Sequence, residues 1–135
     1  MFGSLRAIAL VSGIYDLSLG AGLLLAPGAM ASLFGIPPPS PPLLADLLGL
    51  FALSVAACYW LPWRDPSRWS PLLWILGPLL KGGGAILFIA DHFLRHSPSA
   101  FLLFALTDGM LAAWTAAVLL TRHRREIPHP IDSGS

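Results

Sequence analysis

Four long apolar runs dominate this sequence and constrain what it can fold into. They cover residues 5–26, 43–61, 71–90 and 99–121, and each is close to the roughly 20 residues that a helix needs to cross the hydrocarbon core of a bilayer. Charged residues make up 11% of the chain, against roughly 25% in soluble domains, so the polar side chains cannot cover it in water. The sequence therefore predicts an all-α membrane protein, a bundle of four transmembrane helices.

Proline and glycine mark the reversals between these runs. Residues 29–34, between Pro27-Gly28 and a proline-rich stretch, are predicted to form a short helix in the membrane interface, with Met30, Leu33 and Phe34 dipping into lipid. We read the first run as a retained helix, because it is longer than the roughly 7–15 residues of a signal-peptide core. Residues 1–126 are expected to form one domain, and residues 127–135 a flexible polar tail.

Arginine is distributed very unevenly over the two predicted sides. An even number of spans puts the N-terminus, the second loop and the C-terminus together. That side has six arginines and the other side has only Arg95. The six are Arg6, Arg64, Arg68, Arg122, Arg124 and Arg125. Because basic residues accumulate in cytoplasmic segments, both termini are predicted to be cytoplasmic.

Aromatic residues cluster at the level of the second loop. They are Tyr59, Trp60, Trp63 and Trp69. Amphipathic rings favour the headgroup region, so these four are expected to be interfacial anchors.

Four ionisable residues lie inside the apolar runs, and we predict that they form an intramembrane charge cluster: Asp16, Asp46, Lys81 and Asp108. Each costs roughly 2.5–3.5 kcal/mol at the bilayer centre if it faces lipid. A rise of about 1.5 Å per residue puts three of them about 15–20 Å from the cytoplasmic side, and Asp46 about 23 Å from it. Small residues flank Asp16, Lys81 and Asp108 at helical spacing, which favours close contact between these faces.

We predict that Lys81 pairs with Asp16, Asp108 or both inside the bundle. Two carboxylates beside one ammonium would leave an excess negative charge and would titrate as a coupled pair. Such a group has two interpretations, which stay open here. It is either an ion pair that fixes helix register, or a proton relay or polar ligand site.

Two further features of the third run have similar alternatives. Gly77-Pro78 and Gly82-Gly83-Gly84 bracket Lys81 and predict a broken helix, as in transporters, or a simple kink. His92 and His96 stand four residues apart, a spacing that would allow a metal or pigment ligand pair on one helical face. Interfacial histidines bonded to water and headgroups are the alternative.

Other classes of function find little support. The net charge of +1 excludes a large electrostatic footprint for nucleic acid. Cys58 is the only cysteine, so neither an intramolecular disulfide nor a thiolate metal cluster can form. Nucleotide-binding loops, hydrolase elbows and zinc-protease motifs are absent from the sequence, and no catalytic residue is assigned.

Several short motifs spread over most of the chain resemble those of one group of proteins. These motifs are Tyr15-Asp16-Leu17 with Gly20, Phe34-Gly35-Ile36-Pro37, Arg64-Asp65-Pro66 with Arg68, Lys81 and Asp108. The group consists of small four-helix bacterial membrane proteins of unknown function that are distantly similar to DoxX-like proteins. The resemblance implies a multi-pass protein of the bacterial cytoplasmic (inner) membrane. Some DoxX-like proteins are small subunits in quinone-coupled redox chemistry, but this chain lacks the cysteine pairs that would support that role.

Three functions are therefore considered. The first is an accessory subunit of a larger membrane complex, in electron transfer, that contacts lipid, quinone or pigment and associates with other subunits or with its own copies. The second is a small proton-coupled transporter or channel that uses the midplane aspartates and lysine. The third is a membrane enzyme acting on a lipid or quinone, with Asp16 or Asp108 as general acid or base.

Overall fold

The computed structural model describes residues 2–126, so the predicted tail at 127–135 lies outside the described residues. Within 2–126 the chain is helical and contains no strand, which confirms the all-α class. The elements are α1 (Phe2–Leu25), α2 (Pro27–Leu33), α3 (Leu43–Cys58), α4 (Trp60–Arg64), α5 (Ser70–Trp74), a π-helical segment (Ile75–Gly82), α6 (Gly83–Arg95), a short 3-10 turn (Ser99–Phe101) and α7 (Leu102–Glu126).

Four helical stretches are long and apolar enough to cross a membrane. They are Ser4–Leu25, Leu43–Arg64, Ser70–Arg95 and Ser99–Arg124. Between 22% and 28% of the residues in their most apolar windows are buried within the protein. Most of the apolar surface thus faces outwards, which suits helices whose solvent is lipid and marks the chain as a multi-pass membrane protein.

One end of the molecule gathers the basic residues. Arg6 at the start of α1 donates to the carbonyl of Arg64 (3.4 Å), and Arg122 near the end of α7 donates to the carbonyl of Pro66 (3.4 Å). These contacts hold the start of α1, the turn after α4 and the end of α7 together. We call this the basic end. The opposite end of the molecule carries α2, the proline-rich residues 36–42 and the turn before α7, and we call it the far end.

Asp65 organises the turn at the basic end. Its Oδ1 accepts hydrogen bonds from the Ser67 hydroxyl (2.6 Å) and from the backbone N–H groups of Ser67 (3.2 Å) and Arg68 (3.1 Å). The Ser67 hydroxyl first, and then the backbone groups, hold the pKa of Asp65 below its ordinary value.

Two closely packed helix pairs build the fold. In the first, α1 crosses α3 at Gly20 and Gly49, where a Cβ on Gly20 would lie 2.8 Å from the Gly49 carbonyl oxygen. In the second, α7 packs on the π-helical segment and α6, and a Cβ on Gly77 would lie 2.7 Å from the Thr115 side chain. Because glycine has no side chain, the helices of both pairs can approach each other this closely, as is usual where helices pack in lipid.

The two pairs join most tightly towards the basic end, where α1 also packs on α4 and α7. A cluster of buried side chains from all four spans fills this region. Its members are Leu5, Ala9, Val55, Tyr59, Leu73, Leu76 and Leu119. We call this region the closed half.

A broken helix was one expectation for the third span, but the structure shows a continuous helix there. The chain stays helical from Ser70 to Arg95, and residues Ile75–Gly82 adopt the wider π-helical turn. Pro78 lies inside this segment and has no N–H to donate, so it disrupts regular α-helical hydrogen bonding there. The wider turn accommodates that missing bond without ending the helix. Gly82, Gly83 and Gly84 remain helical, and Lys81 is part of the π-helical segment.

Candidate functional site

Lys81 lies between two carboxylates from different spans. Its Nζ donates to Asp16 Oδ1 on α1 at 2.8 Å and to Asp108 Oδ1 on α7 at 3.2 Å. The exposed fractions of the side chains are 4% for Lys81, 9% for Asp16 and 15% for Asp108. The pairing expected from the sequence is thus present on both sides of the ammonium, and we call these three residues the charge cluster.

An aromatic ring covers the ammonium on a further side. The Lys81 Nζ lies 4.7 Å from the centroid of the Tyr15 ring, within the range of a cation–π interaction. The Tyr15 hydroxyl is hydrogen-bonded to Thr107 Oγ1 on α7 at 2.9 Å. Tyr15 therefore holds its ring over the lysine through a tether to a second helix.

Each carboxylate keeps one oxygen that Lys81 does not use. Asp16 Oδ2 is buried and has no hydrogen-bond partner among the described residues. Asp108 Oδ2 likewise accepts no hydrogen bond from the described part of the chain, and it belongs to the most exposed side chain of the cluster. The cluster therefore presents unused acceptors, while the Lys81 ammonium already contacts two carboxylates and the Tyr15 ring.

A large cavity begins at the charge cluster and runs towards the far end. Its volume is about 510 Å³, and all three cluster residues line it. The rest of its wall is almost entirely apolar: Leu19, Leu23, Pro27, Met30, Ala31, Phe34, Ile36, Pro37, Pro39, Leu44, Ala45, Leu48, Phe51, Ala52, Val55, Leu80, Gly84, Phe88, Phe101 and Phe104. On α3 the wall runs from Leu44 to Val55, a span of about 16 Å at the helical rise. The part of the molecule around this cavity is called the hollow half.

Four phenylalanine rings make one side of the hollow half. Phe34 and Phe104 have ring centroids 4.7 Å apart, and Phe88 and Phe104 are stacked at 5.4 Å. Phe101 lies 6.2 Å from Phe88. Rings from the α2 segment, α6 and α7 thus surround the route from the far end to Asp108.

Two helices that line the cavity, α3 and α6, are not packed closely on each other. Among the described residues, α3 packs extensively only on α1 and α4, and α6 packs on α7 and the elements adjoining it, so these two helices leave a gap. Cavity residues on the α3 side of the gap remain exposed, with Leu44 at 60% and Leu48 at 54%.

Asp46 is not part of the charge cluster, contrary to the sequence prediction. It lies on an exposed face in the first turn of α3. The buried face of this helix carries Ala45, Gly49 and Ala52, and one residue further on the helix has turned by about 100°. At the far end a helix N-terminus also favours a carboxylate, so Asp46 has no need of a buried cation.

The predicted pair of imidazoles does not form. Helix α6 ends at Arg95, and His96 adopts a left-handed conformation with φ 57°. The Nδ1 of His92 lies 2.8 Å from the Ser97 carbonyl oxygen. The two side chains therefore do not share a helical face, and the side chains that the structure describes, those of residues 4–124, include no group of three acidic, histidine or cysteine residues that could hold a metal ion.

Tyr59 is not an interfacial anchor, whereas the exposed tryptophans fit that role. Tyr59 is 2% exposed, and its hydroxyl donates to the Leu76 carbonyl of the π-helical segment at 3.3 Å. Because it lies four residues after buried Val55, it continues the inward face of that helix. Trp60 and Trp63 are exposed and pack together, and Arg68 lies over the Trp69 ring.

The short helix after the first span exists as α2, but two of the three side chains that were expected to face lipid face the cavity instead. Met30 and Phe34 face the cavity and form part of its wall, while Leu33 is 74% exposed. The proline-rich residues that follow turn back over the same opening. The positions of Met30 and Phe34 depend on how the chain returns from α2 to α3, and not on the apolar pattern of α2 alone.

Tyr15 and the phenylalanine rings were missed by sequence reasoning, although some of them leave a signal. Phe88 follows Lys81 by seven residues, and Phe104 precedes Asp108 by four, which are same-face spacings on a helix. These spacings could have suggested an aromatic wall above the charges. Met30, Ile36 and Pro39 could not have been found, because the connection between α1 and α3, which includes α2, brings them to the cavity.

Comparison with family models, curated proteins and solved structures finds no match for this chain. The resemblance to DoxX-like proteins therefore remains a prediction. What the fold and the site define is a class: a small, all-helical multi-pass membrane protein with a mostly apolar cavity that ends at a buried charge cluster.

Proposed function

We propose that this protein takes a lipid-soluble molecule from the bilayer into the cavity and holds the polar end of that molecule at the charge cluster. Its four spans would form a bundle with both termini in the cytoplasm, because the arginines gather at the basic end. The cavity would then lie in the outer half of a bacterial cytoplasmic membrane.

One observation carries this proposal: a mostly apolar cavity ends at the charge cluster. Ligand sites in proteins have volumes of roughly 300–1,000 Å³ and mostly apolar walls with a few converging polar groups. A volume of about 510 Å³ above Asp16, Lys81 and Asp108 fits that description. A charged group inside a membrane helix that borders a cavity also marks ligand pathways.

The same arrangement supports a role as a small subunit of a larger membrane complex. Lipids, quinones and pigments all combine an apolar body with a polar end, and the lateral gap would admit them from lipid. A protein of this kind could hold such a molecule for a partner subunit, including a partner in electron transfer. The DoxX-like resemblance agrees with this setting.

A second candidate is a small proton-coupled transporter. It is favoured by the position of Lys81 in a π-helical segment, since such segments recur at functional sites in membrane and soluble helices alike. A transporter would need the closed half to open towards the basic end. Transport of the bound molecule into proteoliposomes, driven by a pH gradient, separates this candidate from a binding subunit.

The cavity can be tested with two neighbouring glycines. Gly84 lines the cavity, and a Cβ there would lie 3.8 Å from Asp108 Oδ2, whereas a Cβ on Gly83 would meet nothing within 4 Å. Gly84→Leu should therefore fill the space in front of the cluster. Gly83→Leu adds the same side chain on a face that does not line the cavity and serves as the matched control.

The measurement is saturable photolabelling in lipid nanodiscs with an uncharged phenyl diazirine, mapped by mass spectrometry. Wild type and Gly83→Leu should be labelled on α3 and α6 at the cavity wall. Gly84→Leu should bind the label at least about tenfold more weakly, because the added side chain occupies its space. Equal labelling of both variants, or no saturable labelling of wild type, would overturn the proposed function.

A further inference from the structure

We infer that the polar end of the ligand is a cation: an ammonium group on an apolar body, which donates a hydrogen bond to Asp108. This inference rests on the proposed function and narrows the class of ligand. It follows from which atoms of the charge cluster are already used, and from the charge that remains.

Lys81 cannot act as the receptor for an anionic head. Its ammonium already donates to both carboxylates, the Tyr15 ring covers a further side, and its side chain is 4% exposed. Lys81 is also the only basic residue among those that line the cavity. A phosphate or carboxylate head would therefore meet carboxylate oxygens and no free cation.

The groups that do face a ligand are acceptors. Asp108 Oδ2 accepts no hydrogen bond from residues 2–126, and its side chain is the most exposed of the three. Asp16 Oδ2 is buried, has no hydrogen-bond partner among the described residues and belongs to a side chain that is only 9% exposed, so it adds negative charge at the base of the cavity. An acceptor at the cavity without a donor costs free energy once water is excluded, so Asp108 Oδ2 favours a ligand that donates.

The formal charge gives the same answer. One ammonium and two carboxylates leave the cluster at −1 when all three are ionised. In a surrounding of low dielectric constant, an uncompensated charge is far costlier than in water. A ligand with a single positive charge brings the site to zero, while a neutral ligand leaves it unchanged.

The aromatic wall suits a cation as well. Phe104 lies one turn before Asp108 on α7, and Phe88 stacks on it. Ring faces attract an ammonium group that has left water, so the route to Asp108 is favourable for the head as well as for the apolar body.

A proton can take the place of the ligand cation. On an otherwise empty cluster, a proton on one carboxyl supplies the same single positive charge. The other titratable side chains that interact with the cluster are the phenols Tyr15 on α1 and Tyr59 after α3, which are ordinarily uncharged at neutral pH. A proton and the ammonium should therefore compete for the cluster, so binding of the ammonium should release protons and weaken as the pH falls.

The test uses three probes that share a naphthylalkyl body and differ only in the head: a primary amine, an alcohol and a carboxylate. Binding to the protein in nanodiscs is measured by calorimetry at neutral pH in two buffers of different ionisation enthalpy, with empty nanodiscs as the blank. The amine should bind at least about tenfold more tightly than the alcohol, because its hydrogen bonds are charge-assisted, and the carboxylate should not bind detectably.

Asp108→Asn removes the exposed negative charge at constant size and should abolish the preference for the amine. Asp46→Asn, on the exposed face of α3, is the matched control and should leave the preference unchanged. Equal binding of amine and alcohol, or tighter binding of the carboxylate, would overturn the cationic assignment. In that case saturable diazirine labelling blocked by Gly84→Leu would still support the cavity as a ligand site. A preference for the amine that survives Asp108→Asn would show that Asp108 does not bind the ammonium, and would therefore also contradict the inference.

Discussion

The closed half and the hollow half of this molecule are built from the same four spans, yet they are packed very differently. In the closed half, small and medium side chains such as Ala9 and Leu73 meet with almost no exposure. In the hollow half the same helices diverge around about 510 Å³ of space, and residues such as Leu48 stay exposed at its rim. The charge cluster lies at the boundary between the two.

This difference suggests a division of roles. A tightly packed half can hold the helix ends in fixed positions, and an open half can then keep its cavity without collapsing. Packing in lipid relies on close fit because lipid supplies no hydrophobic force between helices. The closed half should therefore contribute most of the stability, and the hollow half most of the ligand binding.

The largest expected effect on stability concerns the charge cluster, which lies at the boundary between the closed half and the hollow half. Lys81→Met leaves two buried carboxylates without their cation and should lower the free energy of unfolding by about 3–5 kcal/mol. The measurement is SDS-induced unfolding in mixed micelles, followed by helix content. The triple variant Lys81→Met, Asp16→Leu, Asp108→Leu removes every charge and should recover most of the loss, because replacing a whole buried ion group is often close to neutral. A single variant as stable as wild type would show that the cluster does not hold the two halves together.

A smaller effect compares one leucine from each half. Leu73 is fully buried in the closed half, so Leu73→Ala should cost about 2 kcal/mol, near the lower limit for a core truncation. Leu48 is 54% exposed at the cavity rim, and Leu48→Ala should change stability by less than about 0.5 kcal/mol. The same unfolding assay measures both. Similar costs at the two sites would contradict the proposed division between the halves.

The smallest effect lies in the turn at the basic end. Hydrogen bonds from Ser67 and from the Arg68 backbone hold the pKa of Asp65 low, so their contribution is present above the unfolded-state pKa and is lost as the pH falls through the lower folded-state pKa. Amide exchange at Ser67 and Arg68 should accelerate, relative to reference amides in α7, as acid protonates Asp65. Asp65→Asn should show the faster relative exchange at neutral pH and no further change in acid. An acid response that persists in Asp65→Asn would assign it to another group.

Much of the fold could be predicted because it depends on local sequence. The four apolar runs predicted the spans, since length and composition alone decide whether a helix can cross a bilayer. Lys81, Asp16 and Asp108 could be paired because they fall at one depth on faces rich in small residues. The prediction of a ligand pair at His92 and His96 was wrong because it assumed that the helix continues to His96, whereas α6 ends at Arg95.

Other features depend on how the spans meet and could not be read in this way. Asp46 and Asp108 have the same chemistry in similar runs, yet one faces outwards and the other lines the cavity. Tyr59 resembled its tryptophan neighbours in sequence, but the α3 face that carries Val55 turns it into the core. Which face of a helix is buried is decided by its neighbours when nearly every face is apolar.

The sequence by itself determined the number of spans, the end at which the arginines gather, and the need of a buried lysine for acidic partners. Hydrocarbon imposes these features on any chain of this composition, because it solvates neither charges nor unpaired backbone groups. Only the tertiary structure decided that α3 and α6 stand apart and leave a cavity over the charge cluster. That space depends on the fit between whole helix surfaces and on a returning proline-rich loop, and no local pattern of residues encodes such a fit.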